Sequence, residues 1–271
     1  MRIRQALHDA IQVLEAAGVP DARLDAGWLL EELTGVPRLA LSFSEETFLQ
    51  SITYQEWIER RAAGEPLQYI LRYTDFFRRR FAVGPGVLIP RQETEILCEA
   101  AVHYIGDRPL RVLDLCTGSG VLAITFALNC RTAEVHASDI SPEALCYARA
   151  NAAMLDADVV FWEGDLFNPF DIAFDLIVSN PPYICRDTLT TLQREIAYEP
   201  NCALDGGVDG LDFYRRIAEQ APLKPGGMLL LEIGADQGTA VTTILGKKWT
   251  VCERNYDYHG ILRVVGAMNA G

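Results

Sequence analysis

Apolar residues recur along this chain in two rhythms, and the change of rhythm divides it. Near the start, Ile3, Leu7, Ile11 and Leu14 return at helical spacing on one face, and Gly18-Val19-Pro20 ends that helix. Asp21 is placed to cap a second helix that carries Leu24, Trp28, Leu29 and Leu33. A further helix is expected from Tyr54 to Ala63, stopped by Gly64-Glu65-Pro66. Between Phe76 and Ile89 the pattern shifts to aromatic and branched residues around Gly84-Pro85-Gly86, which predicts a hairpin and a domain boundary near it.

From Arg111 onward, strand-like and helix-like stretches alternate. Strands are expected at 111–115, 134–138, 159–162, 174–179 and 228–233, with helices at 119–129 and 142–155. Two more strands, 249–253 and 260–265, flank Tyr256-Asp257-Tyr258-His259. This alternation predicts a mostly parallel sheet covered on both faces. No internal repeat or low-complexity segment is visible.

Composition narrows the function classes. An apolar content of 49% in 271 residues supports a packed core and argues against disorder. The net charge of -13 opposes nonspecific nucleic-acid binding, which depends on neutralising phosphates with Lys and Arg. The seven cysteines are scattered and never spaced Cys-x-x-Cys, so neither a disulfide framework nor a zinc site is expected, and a reduced cytoplasmic setting fits. The N-terminus lacks the apolar core of a signal peptide, and no apolar stretch is long enough for a bilayer. His8, His103, His136 and His259 are dispersed, and none is assigned to catalysis or a metal.

Candidate chemistry begins where the first strand of the alternating region meets its helix. Val112-Leu113-Asp114-Leu115-Cys116-Thr117-Gly118-Ser119-Gly120 is a glycine-containing turn at a helix N-terminus, where backbone approaches a ligand closely. Asp114 is read as bracing that turn and is given no direct site role. Asp139 ends the second strand, where an acid binds ribose hydroxyls. Gly164-Asp165-Leu166-Phe167 follows the third strand, at the edge where an adenine would lie. Together these predict a nucleoside cofactor. Asn180-Pro181-Pro182-Tyr183 follows the fourth strand. Its prolines fix an extended backbone, so the Asn amide and the Pro181 carbonyl become paired acceptors, and the Tyr ring a flat wall, for a planar NH2 group.

The turn resembles the Asp-x-Gly-x-Gly-x-Gly turn of class I S-adenosylmethionine methyltransferases, with Cys116 in place of the first glycine. Asn-Pro-Pro-Tyr in that setting marks enzymes that methylate planar nitrogens. Arg60-Arg61-Ala62-Ala63-Gly64-Glu65-Pro66-Leu67-Gln68-Tyr69-Ile70, Val87-Leu88-Ile89-Pro90-Arg91-Gln92-Glu93-Thr94-Glu95, Tyr198-Glu199-Pro200 with Ala203-Leu204-Asp205-Gly206-Gly207-Val208-Asp209-Gly210-Leu211, and Leu231-Glu232-Ile233-Gly234 are similar to stretches of the HemK/PrmC family, the N(5)-glutamine methyltransferases of peptide chain release factors. The likeness runs from about Asp21 to the C-terminus. Departures are Gln92 where Pro is usual, Arg72 where Gly often stands, and Leu166 where some members have Trp.

The resemblance implies a Rossmann-like α/β methyltransferase fold, mostly parallel with an antiparallel C-terminal strand. It divides the chain into a helical substrate-docking domain (1–73), a hairpin linker (74–89) and a methyltransferase domain (90–271). It implies S-adenosylmethionine as cofactor, held by Cys116, Thr117, Gly118, Ser119, Gly120, Asp139, Asp165, Leu166 and Asn180. Asn180, Pro181 and Tyr183 are the implied catalytic residues, and Asn180, Pro181, Pro182, Tyr183 and Glu199 the implied substrate-binding set, with no metal. The implied partners are class-1 release factors, with neither direct nucleic acid nor membrane. Arg91 and Glu93 form either a salt bridge at the domain junction or part of the site. Three alternatives remain: a ribosomal-protein glutamine methyltransferase, an adenine-amino nucleic-acid methyltransferase opposed by the charge, and a degenerate cofactor-binding module prompted by Cys116.

Overall fold

The computed structural model describes residues 1–271. The chain divides into two compact units, one of Met1–Tyr73 with Gln193–Tyr198, the other of Thr74–Leu192 with Glu199–Gly271.

The first unit is helical: α1 (Ile3–Ala16), α2 (Ala22–Thr34), α3 (Arg38–Leu41), α4 (Ser51–Ala62) and α5 (Leu67–Leu71). Ile3, Leu7 and Leu14 are buried in its core, and Ile11 packs at the edge. The inward face of α2 differs from the expected one. Ala22, Ala26, Leu29 and Leu30 are buried, whereas Leu24 is 55% exposed. The i, i+3, i+4 run through 22, 26, 29 and 30 sets the inward stripe and turns Leu24 to solvent. Trp28 instead lies under the Arg38 guanidinium, 3.3 Å from its ring centre. Asp21 makes no side-chain cap; its backbone carbonyl receives Asp25 N. An ion cluster centred on buried Arg61 ties the sequence-distant segment 193–198 to these helices. Arg61 donates to Asp25 Oδ2 at 2.7 Å and to Glu195 Oε1. Burial raises the Asp25 carboxyl against the opposing pull of Arg61.

A hairpin follows, β1 (Tyr73–Phe76) and β2 (Arg79–Ala82), which belongs to the second unit from Thr74 onward. Its turn falls at Phe77 and Arg78, with φ of 47° and 63°, rather than at Gly84-Pro85-Gly86. Two successive left-handed residues match the twist of paired strands, and Phe77 N is held by the Glu95 carboxylate at 2.7 Å. The glycine turn at 84–86 follows separately.

The remaining elements are α6 (Glu93–Ile105), β3 (Arg111–Leu115), α7 (Val121–Asn129), β4 (Glu134–Asp139), α8 (Pro142–Leu155), β5 (Val160–Glu163), β6 (Phe174–Ser179), α9 (Asp212–Gln220), β7 (Leu223–Glu232), α10 (Gly238–Leu245), β8 (Thr250–Tyr256) and β9 (Leu262–Met268). They form a seven-stranded sheet in the order β5-β4-β3-β6-β7-β9-β8, parallel except for β9, which runs antiparallel to both neighbours. The expected mostly parallel sheet with an antiparallel C-terminal strand is therefore present.

Residue parity sorts the strand side chains onto two faces. Val112, Leu176, Val178 and Leu230 pack with Leu97, Ala101 and Phe126 of α6 and α7. Leu113, Ile177, Leu229 and Leu231 pack with Tyr214, Ile217 and Val241 of α9 and α10. Strand order reverses beside β3, so a crevice opens at the carboxyl ends of β3, β4 and β6. No helix is long and apolar enough to cross a membrane.

Candidate active site

A cavity of about 350 Å³ occupies that crevice. Cys116, Thr117, Gly118, Ser119, Asp139, Asp165, Leu166, Asn180 and Pro182 line it. Gly120, Pro181, Tyr183 and Glu199 lie outside the lining.

The β3–α7 turn is built around Asp114. Its Oδ2 accepts from Thr117 Oγ1 at 2.5 Å and from Ala123 N at 3.0 Å, so it fixes the turn and caps α7. Its Oδ1 has no partner, and burial pushes the carboxyl up to about 7. Cys116 adopts φ 63°, the left-handed region that a glycine enters freely. That explains why glycine suits this place; burial raises the thiol here well above its ordinary value. Gly120 also has positive φ, 84°, and a Cβ there would sit 3.1 Å from Ala148 Cβ, so the turn packs directly on α8.

Asp139 ends β4 and bridges the turn to the next helix. Oδ2 accepts from Gly118 N at 2.8 Å and Oδ1 from Ser141 N at 2.9 Å. Burial raises its pKa, and those backbone donors oppose the rise. Asp165 is paired with Arg216 at 2.7 Å, while Leu166 is 4% exposed at φ 49° and presses on the cavity.

The segment 180–183 emerges from β6 and is held from three sides. Asn180 Nδ2 donates to Thr94 Oγ1 of α6 at 3.2 Å. The Tyr183 carbonyl accepts from Gln237 Nε2 at 2.9 Å, and the same amide donates to Gly210 O at 3.1 Å. Gln237 Oε1 accepts from Gly234 N at 3.0 Å. Gly206 N donates to Ile184 O, and Ile184 N to Leu204 O, so the return stretch 204–210 lies directly against the loop. A Cβ on Gly206 would stand 2.7 Å from Tyr183 Cα, so only glycine permits this approach. The Tyr183 hydroxyl is pushed up to about 12, first by burial and then by the Glu232 charge.

Glu199 is 5% exposed and both its oxygens are engaged, one by Ile89 N at 3.0 Å and one by Arg91. Arg91 therefore pairs with Glu199, not Glu93; Glu93 stands 3.8 Å from Arg263 of β9. Thr94, Gln237 and Glu232 escaped the reading of the sequence. Glu232 alone carried a signal, a carboxylate inside the apolar run Met228-Leu229-Leu230-Leu231-Glu232-Ile233.

Residues 5–71 match the PrmC N-terminal domain, and residues 93–207 match the methyltransferase small domain. The release factor glutamine methyltransferase of Koribacter versatilis is 43% identical over 275 residues, which cover 98% of this chain and 98% of that one. The release factor glutamine methyltransferase of Geobacter sulfurreducens is 42% identical over 272 residues, covering 97% and 95%. Among solved structures, a methyltransferase from Pyrococcus furiosus is similar with a TM-score of 0.54 and 18% identity, over 82% of this chain and 100% of that one. At that identity the likeness concerns the fold.

Proposed function

Because the chain belongs to the release factor glutamine methyltransferase family, we infer that it transfers a methyl group from S-adenosylmethionine to the side-chain amide nitrogen of the glutamine in the Gly-Gly-Gln motif of class-1 peptide chain release factors. The cavity suits that cofactor on its own chemistry. Its charged lining is Asp139, Asp165 and Asp205 against the single cation Arg216. An acidic lining favours a sulfonium cation and disfavours the pyrophosphate of a dinucleotide. Bound there, the cofactor supplies an electrophilic methyl group.

The chain's own residues do the positioning. Asp139 accepts from ribose hydroxyls through lone pairs that Gly118 N and Ser141 N leave free. Residues 116–120 approach the ligand by backbone, and Leu166 with Asp165 borders the base. An amide nitrogen is a poor nucleophile because its lone pair is delocalised, so the site must hold it in line and near contact distance. Asn180 Oδ1 and the Pro181 carbonyl accept its two hydrogens, and their partial negative charge favours the positive charge that develops on nitrogen. Pro182 and Tyr183 wall the amide plane. Glu199 orders the loop by clamping Ile89 and Arg91. The proton leaves to water after transfer.

One observation carries this reading: Asn180 lines the cavity while its Nδ2 is committed to Thr94, so Oδ1 is the atom left to meet a substrate N–H. Asn180→Ala tests it. Single-turnover transfer falls by about a hundredfold or more while cofactor affinity persists. A near-normal single-turnover rate would remove Asn180 from the reaction. The helical unit 1–73 serves release-factor docking, and the acidity of the chain supports a protein rather than a nucleic-acid substrate. The proposed setting is the cytoplasm, where translation ends.

A further inference from the structure

Glu232 is the last residue of β7 and is 1% exposed, yet no cation bonds to it. Thr94 and Asn180, bonded to each other at 3.2 Å, face its carboxyl and oppose the rise in its pKa, and its Oε2 has no partner. A carboxylate buried without a cation is costly, and packing alone would be served better by an apolar residue. The neighbours that face it are Glu93 and Thr94 from α6, Asn180 and Tyr183 from the loop after β6, Tyr214 from α9 and Arg263 from β9. Tyr214 spends its hydroxyl on the Glu232 backbone carbonyl at 3.0 Å.

We propose that Glu232 is a positioning residue that sets the direction of the hydrogen-bond chain Asn180–Thr94–Glu232 and thereby decides which atom of the Asn180 amide faces the substrate. An ionised carboxylate only accepts. Thr94 Oγ1–H must then donate to it, which leaves the Thr94 lone pairs for Asn180 Nδ2–H. The amide is locked with Oδ1 toward the cavity, as an acceptor for the glutamine N–H. The charge behind Nδ2 also polarises the amide and strengthens Oδ1 as an acceptor. A protonated Glu232 donates to Thr94 instead. Thr94 can then donate to Oδ1, and the amide turns its NH2 toward the substrate NH2, which repels it. The inference rests on the proposed role of Asn180, with the substrate in the cavity.

Desolvation by burial raises the Glu232 carboxyl to about 7, and the neighbouring Glu93 charge adds to the rise. Burial pushes Tyr183 and Tyr214 upward, away from neutrality, and the charge of Glu232 adds to both. Arginine stays charged throughout.

The test is the pH dependence of kcat for release-factor methylation by the full chain, with wild type, Glu232→Gln, Glu232→Asp and Thr94→Val side by side. Wild-type kcat falls about tenfold per pH unit below a midpoint near 7. Glu232→Gln loses that acid limb and lowers kcat at pH 8 by about 10- to 100-fold, because the amide is no longer locked. Its cofactor affinity and its KM for release factor stay at wild-type values. Glu232→Asp restores an acid limb. Thr94→Val, which keeps the carboxyl and removes the hydroxyl link, also lowers kcat and covers the case in which Glu232→Gln does not fold. An acid limb unchanged in Glu232→Gln, or wild-type kcat in Thr94→Val, overturns the inference. Wild type that labels no release-factor glutamine at any pH defeats the proposed function itself, which is a separate result.

Discussion

Gly206→Ala probes how closely the loop at 180–183 must be held. The added Cβ would lie 2.7 Å from Tyr183 Cα, 2.8 Å from Tyr183 C and 2.9 Å from Gly210 Cα. All three atoms are backbone, so no side-chain rotation relieves the overlap. Ordinary contact begins near 3.4 Å, so the Tyr183 backbone must retreat by several tenths of an ångström. The backbone at Gly206 is not in the left-handed region, so an alanine meets steric rather than conformational strain. Restricting the unfolded chain would favour the variant by about 0.4–1 kcal/mol. Overpacking costs about 1–3 kcal/mol, so the steric term wins and the variant melts earlier. The larger effect falls on catalysis. A displacement of about 1 Å at a reacting centre costs up to about a hundredfold, so a roughly tenfold loss is the least expected. The assay is single-turnover methyl transfer with enzyme in excess over release factor, alongside calorimetry of S-adenosylmethionine binding. The rate falls while the affinity holds, because the β3–α7 turn and Asp139 are untouched. A wild-type single-turnover rate in Gly206→Ala would refute the claim that this loop needs close positioning.

Asp139→Ala weakens S-adenosylmethionine binding by about 10- to 100-fold through lost charge-assisted bonds, and calorimetry showing unchanged affinity would take Asp139 out of the cofactor site. Cys116→Gly relieves a left-handed Cβ at φ 63° worth about 1–2 kcal/mol and sacrifices a buried thiol worth about as much, so activity and melting temperature stay close to wild type; complete loss of activity would reveal a role for the thiol. The Glu232 carboxyl has its folded pKa raised above its ordinary 4.5, to about 7, so the folded state binds the proton more tightly. Its contribution is fully present below about pH 4.5 and is lost as pH rises to about 7. Urea unfolding from pH 5 to pH 8 should show a smaller decline in stability for Glu232→Gln than for wild type, and an equal decline would contradict the buried charge.

The sheet was legible because each central strand is a short apolar run bounded by turn residues, and because 112–120 and 180–183 both follow such runs. Their meeting at one crevice follows from parallel order alone. The supports of the site were not legible. Thr94 reaches Asn180 across 86 positions, and Gln237 reaches Tyr183 across 54, so no local spacing announces either pair. Helix α6 was missed because its buried positions are mostly Ala, Cys and Thr, which carry weak periodicity. The hairpin turn at Phe77 and Arg78 lacks the glycine or asparagine that marks such turns. The placing of Gln193–Tyr198 with the N-terminal helices rests on the bond from buried Arg61 to half-buried Glu195, 134 residues apart.

The most direct measurement is residue-level mass mapping of methyl groups after full-length protein, S-adenosylmethionine and intact class-1 release factor are incubated together, with ribosomal protein and DNA in parallel. The account predicts one methyl group on the side-chain amide of the Gly-Gly-Gln glutamine, absent when Asn180→Ala replaces the wild-type chain. Methylation at another residue, preferential labelling of ribosomal protein or DNA, or equal labelling by Asn180→Ala would contradict it.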